Sequence, residues 1–121
     1  MAKKILVVDD EPDVVKVVSF RLKKAGYEVF TADNGKKGLD SVTDNRPDLV
    51  LLDLRMPVMS GYDVCKQIKS DDKLKNIPVI LLTASGAGTI ANSAKEYNAD
   101  DYIVKPFNPE ELLEKVKKYL K

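Results

Sequence analysis

The chain has 121 residues, a normal length for one domain, and its 44% hydrophobic and 32% charged residues exclude wholesale disorder. Lys and Arg number 20 against 19 Asp and Glu, a net charge of +1, which removes the electrostatic case for general nucleic-acid binding while leaving a local patch open; no direct nucleic-acid binding is the expectation. Histidine is absent and Cys65 is the single cysteine, which excludes His-based catalysis, His metal ligation and an intrachain disulfide.

The first apolar run, Ile5-Leu6-Val7-Val8, is too short for the core of a signal peptide, and no stretch approaches the ~18 apolar residues of a membrane span. A cytoplasmic, reducing location without membrane contact is the expectation. The same run is β-branched and unbroken, the mark of a buried strand. Pro12 suits the first turn of a helix, whose apolar face is Val14, Val15, Val18 and Leu22 and which stops at Gly26. Residues 27–31 read as a second strand. Asn34-Gly35 turns the chain into a short helix marked by Leu39 and Val42, weakened by Gly38 at a cost of about 1 kcal/mol relative to Ala.

Residues 49–52 form a third buried strand that ends at Asp53. Ser60 and Asp63 then resemble a capping box, with Gly61, Val64, Cys65 and Ile68 on one helix face. Residues 79–82 are a fourth strand, ending at Thr83, and a helix through Ile90, Ala94 and Tyr97 follows, loosened at its start by Gly86 and Gly88. Residues 102–104 make a short fifth strand, ending at Lys105. Asn108-Pro109-Glu110-Glu111 starts the last helix with a cap, a proline and acids at the positive end of the dipole; Leu112, Leu113, Val116 and Leu120 are its apolar face. The four lysines among residues 115–121 read as a solvated helix face rather than a membrane patch. Solid apolar strands alternating with amphipathic helices predict one α/β domain, a doubly wound parallel sheet covered on both faces.

Sites in such a sheet form beyond the carboxyl ends of the strands. Those ends carry Asp9 and Asp10 after the first strand, Asp53 after the third, Thr83 after the fourth and Lys105 after the fifth. Taken alone, Asp9 and Asp10 are also compatible with acids at a helix start. Three converging carboxylates need a cation, and their hard oxygens suit Mg2+. Lys105 adds a point charge for a phosphate oxygen, and a carboxylate is a competent nucleophile toward phosphorus. A flavin-type phosphate loop is contradicted by Asp9-Asp10-Glu11, and neither G-x-G-x-x-G nor G-x-x-x-x-G-K-[ST] occurs.

Four segments in order carry a resemblance over essentially the whole chain: residues 5–12 (ILVVDDEP), residues 47–53 (PDLVLLD) with Met56-Pro57 and Gly61, residues 78–84 (PVILLTA), and residues 99–107 (ADDYIVKPF). Together they resemble the receiver domain of two-component response regulators, of the stand-alone, chemotaxis-regulator-like type. The resemblance implies one receiver domain over residues 1–121 with the flavodoxin-like (βα)5 fold and strand order 2-1-3-4-5. It implies that Asp53 accepts a phosphoryl group from a histidine kinase or phosphotransfer protein. Asp9, Asp10, Asp53 and the backbone carbonyl of Arg55 would hold Mg2+, Thr83 would hydrogen-bond the phosphoryl group, and Lys105 would pair with it. Tyr102 would move inward with Thr83, changing the surface of the fourth helix, fifth strand and fifth helix that a downstream effector protein reads. A cis Lys105-Pro106 bond is also implied.

The chain departs from the family pattern at Ser60-Gly61, where Asp-Gly is common, at Asn98, where Gly is usual, and at Ser85-Gly86-Ala87-Gly88, which replaces a more polar stretch. Arg55 and Ser85 fall at variable positions flanking the site. The resulting expectation is a phosphoprotein switch with at most slow self-dephosphorylation, not an enzyme. The alternatives are a phosphatase using Asp53 as turnover nucleophile, which would want an acid where Arg55 stands, and a receiver-like binding module that is never phosphorylated.

Overall fold

The computed structural model describes residues 2–54, 56, 59–83 and 98–120. Among the described residues nine elements follow one another: β1 (Lys4–Val8), α1 (Pro12–Lys24), β2 (Glu28–Ala32), α2 (Gly35–Asn45), β3 (Leu49–Asp53), α3 (Gly61–Ser70), β4 (Val79–Thr83), β5 (Asp101–Val104) and α4 (Pro109–Tyr119). The helix expected through Ile90, Ala94 and Tyr97 lies outside the described residues, as do Arg55 and residues 85–88.

All strands are parallel, in the order β2-β1-β3-β4-β5. Alternate strand residues point to opposite faces, and each face has its own apolar layer. Leu6, Val8, Val50, Leu52 and Leu81 pack with Val42 of α2 and with Val64, Cys65 and Ile68 of α3. Ile5, Val7, Leu49, Leu51, Ile80 and Leu82 pack with Val18 and Leu22 of α1 and with Leu112 and Val116 of α4. Because both faces are covered, the central strands carry no polar alternation. The doubly wound sheet read from the sequence is the one observed.

Three of the four described helix starts carry a side-chain cap, and α1 instead starts at Pro12 without one. Asn34 accepts from the Lys37 N–H at 2.9 Å, Ser60 from the Asp63 N–H at 3.3 Å, and Asn108 from the Glu110 N–H at 2.7 Å. β2 starts one residue later than the sequence suggests. The Tyr27 N–H is used by the Leu22 carbonyl to close the end of α1, so pairing with β1 begins at Glu28. Gly38, a cost on propensity grounds, has a packing reason: a Cβ there would sit 2.9 Å from both γ-carbons of Val8. Asn98 adopts φ 61°, a left-handed conformation that Asn tolerates.

Two helix lysines make buried or cross-fold contacts, and for Lys115 this departs from the solvated face read from the sequence. Lys69, at the end of α3, donates to the Lys75 and Ile77 carbonyls and, at 2.7 Å, to Asp100 Oδ2, which also accepts the Val79 N–H. Lys115 of α4 reaches β5 and donates to Asp101 Oδ1 and the Tyr102 carbonyl, each at 2.8 Å. Lys117 and Lys118 are exposed, as the sequence suggests.

Candidate functional site

Strand register brings the site together. Val8 lies opposite Leu52 in the β1–β3 pair, so Asp9, the next residue, emerges beside Asp53. Asp53 pairs with Leu82, which places Thr83 just past it on the neighbouring strand. Thr83 in turn pairs with Val104, the residue before Lys105. Four strands thus deliver their terminal polar residues to one edge.

Asp9 is fully buried, Asp53 is 5% exposed and Thr83 is 3% exposed, while Asp10 and Glu11 are open to solvent. Carboxylate oxygens of Asp9, Asp10, Glu11 and Asp53 all lie within 4.8 Å of one another. The Lys105 ammonium bridges this group: it is 2.8 Å from Asp9 Oδ2, 3.0 Å from Glu11 Oε1 and 3.5 Å from Asp53 Oδ1. The other Asp9 oxygen accepts the Glu11 N–H at 2.9 Å, which fixes the carboxylate at the entry to α1. The Lys105–Pro106 peptide is cis, and the Lys105 N–H donates to the Thr83 carbonyl.

Burial draws the Lys105 ammonium toward losing its proton. Hydrogen bonds to Asp9 and Glu11 and the charges of Asp53 and Asp9 outweigh that, leaving its pKa above the ordinary lysine value. The residue is therefore a fixed positive charge at neutral pH. Among the described residues, four carboxylates surround one ammonium, an excess of negative charge, and like charges at this spacing are costly unless a further cation joins them. All the donors are hard oxygens, a set that fits Mg2+.

Asp9, Asp10, Asp53, Thr83 and Lys105 thus share one edge. Tyr102 stands apart on β5, half-buried against the α2–α3 layer. Glu11 is a member that sequence reasoning did not assign; its place next to Asp9-Asp10 was the available signal. Gly61 is another. A Cβ there would lie 2.1 Å from the Asp53 carbonyl oxygen and 2.8 Å from Leu54 Cα, while its N–H donates to the Leu54 carbonyl at 3.1 Å. Glycine lets the start of α3 lie against the backbone that carries Asp53.

The model of the response regulator receiver domain matches residues 5–117. The chain belongs to this family. Among relatives of this receiver domain, a probable transcriptional regulator, ycf27, of Guillardia theta is 40% identical over 119 residues, covering 98% of the chain; the chain spans 46% of that relative's length. The chemotaxis protein CheY4 of Vibrio cholerae has a similar structure, with TM-score 0.92, 34% identity and coverage of 98% of this chain and 99% of that one. A putative response regulator from Chloroflexus aurantiacus gives TM-score 0.94 at 35% identity, covering 99% of this chain and 98% of that one. Receiver domains are signalling switches rather than classical enzymes, and they bind Mg2+ in their acidic pocket. Among the described residues no helix of this receiver is long and apolar enough to cross a membrane.

Proposed function

We propose that this receiver is switched by phosphorylation of Asp53, with a partner histidine kinase or phosphotransfer protein as donor. The observation that carries the reading is the junction of Asp9, Asp10 and Asp53 with Lys105 at one sheet edge. Asp9, Asp10 and Asp53 are the residues that would hold Mg2+; the Arg55 carbonyl lies outside the described residues. Bound there, the ion offsets negative charge on the carboxylates and on the incoming phosphoryl group.

In the transfer, an Asp53 carboxylate oxygen forms a bond to phosphorus while the bond from phosphorus to the donor's imidazole nitrogen breaks. That nitrogen keeps the electron pair and takes a proton from solvent. Lys105 neutralises charge on the phosphoryl oxygens, and the Thr83 hydroxyl donates a hydrogen bond to one of them. The new group brings a charge of about −1.5 to −2 and strong acceptors. By drawing on Lys105 and Thr83 it biases a two-state equilibrium. Tyr102 carries that change to the surface formed by β5 and α4, where a downstream effector protein reads it.

Incubation with Mg2+ and a small phosphodonor, followed by intact-protein mass spectrometry, tests the reading. One phosphoryl group is expected on the wild type and none on Asp53→Asn. Equal uptake by both proteins overturns it, and so does multiple turnover on small phosphomonoesters without an acyl-phosphate on Asp53.

A further inference from the structure

β5 is the last strand of the described sheet; its second residue, Tyr102, pairs with Leu81 of β4 on one side, and side chains hold its backbone N–H and carbonyl. The Tyr102 N–H donates to Asp101 Oδ1 at 2.8 Å, and its carbonyl accepts from Lys115 Nζ at 2.8 Å. The same ammonium lies 5.3 Å from the centroid of the Tyr102 ring, within cation–π range, and pairs with Asp101 Oδ1 at 2.8 Å. Tyr119, one turn further along α4, places its hydroxyl 3.1 Å from Asp101 Oδ2 and 2.9 Å from the Asp100 carbonyl. One lysine therefore grips the backbone of Tyr102, the face of its ring and the acid that holds its N–H.

We propose that Lys115 is a positioning residue for Tyr102, fixing the resting orientation of the ring and so setting how readily the switch moves. This rests on the reading of Tyr102 as the switching residue. The grip involves no atom of the acidic pocket, so it acts on the response to phosphorylation rather than on the transfer itself. The ammonium's attraction for the ring face holds only in one family of Tyr102 side-chain rotamers. The backbone hydrogen bond and the Asp101 pair keep Nζ in place to exert it. Loss of the charge frees the ring while leaving the apolar layers intact.

Three-bond couplings from the Tyr102 Cγ to its backbone nitrogen and carbonyl carbon give the χ1 rotamer populations directly. They are measured in the wild type, Lys115→Met, Lys115→Gln and Lys115→Arg, with and without Mg2+ and beryllofluoride as a phosphoryl mimic. In Lys115→Met the ratio of major to minor rotamer is expected to fall about fivefold, as loss of a typical cation–π attraction implies. Lys115→Arg should restore it. Lys115→Gln keeps a donor for the Tyr102 carbonyl but not the charge, so it should behave as Met does; it also serves if the Met variant folds poorly. Unchanged rotamer populations in both neutral variants overturn the proposal. If they change but beryllofluoride leaves wild-type Tyr102 where it was, the positioning role stands and the switch reading fails.

Discussion

The Lys105 ammonium lies closer to Asp9, at 2.8 Å, than to Asp53, at 3.5 Å. Its tightest partner is thus the fully buried acid at the end of β1, the strand next to the one that bears the proposed phosphoryl acceptor. Lysine at this point joins β5 to β1 over the ends of β3 and β4. Lys105→Met leaves Asp9 buried without its ammonium. We expect a loss of about 3 kcal/mol, the usual scale for removing one partner of a buried pair, read by urea unfolding without divalent cations. Unchanged stability would mean that the pair makes no net contribution.

The excess of carboxylates makes a metal prediction of opposite sign. Asp10 is exposed, and its main electrostatic effect is repulsion from Asp9, Glu11 and Asp53. Asp10→Asn should raise the stability of the metal-free protein by roughly 0.5–1 kcal/mol, the size of like-charge terms near a surface. Wild type should gain about 2.7 kcal/mol in Mg2+ at 100 times its Kd, reversed by chelator. The variant should gain much less at the same Mg2+ concentration. Thermal melts of both proteins with Mg2+ and with EDTA check the two signs together.

Gly61 couples the start of α3 to the acceptor strand. The 2.1 Å approach that a Cβ would make to the Asp53 carbonyl oxygen is far inside contact distance, and the opposing atom is backbone. Gly61→Ala should cost about 1–3 kcal/mol as overpacking does, and slow phosphoryl uptake by displacing Asp53. Ser60→Ala is the control: it removes the α3 cap for about 1 kcal/mol while leaving uptake unchanged. Equal uptake by wild type and Gly61→Ala would show that the segment yields without moving Asp53.

Asp101 supplies a pH dependence. Burial raises its pKa, but hydrogen bonds from Lys115, the Tyr102 N–H and Tyr119 and the Lys115 charge outweigh that, leaving it below the ordinary 3.8. A carboxyl with a depressed folded-state pKa contributes stability that is fully present above its unfolded value and is lost as pH falls through the folded value. Asp101→Asn should therefore be less stable than wild type at pH 7, by about 1 kcal/mol given partial solvent screening. The difference should begin to close below about pH 4 and vanish only below the lowered folded-state value. Denaturant midpoints across pH 2.5–7 measure this convergence, and a constant gap would contradict it.

The strands were legible in the sequence because burial on both faces leaves nothing but apolar residues between Ile5 and Val8 or Leu49 and Leu52. Site members at strand ends were legible for a related reason. In a parallel sheet the ends share one edge, so position along the chain translates into proximity. Side chains that work across the fold were not legible. Lys69 finds acceptors 6, 8 and 31 residues away, and Lys115 partners that precede it by 13 and 14. A lysine on a helix looks solvated until the neighbouring strand is placed. Gly38 had the same difficulty: propensity registers a missing side chain as a cost, whereas the reason for its absence is the Val8 side chain of β1.

Asp53 is the proposed acceptor, and reductive trapping reads the acceptor residue itself. Protein incubated with Mg2+ and a small phosphodonor is treated with borohydride, which reduces an acyl phosphate to the alcohol, and its peptides are sequenced by mass spectrometry. Homoserine is expected in place of Asp53 and at no other acidic residue. Reduction at Asp9, Asp10 or Glu11 instead, or none anywhere after a phosphoryl group has been gained, would contradict it.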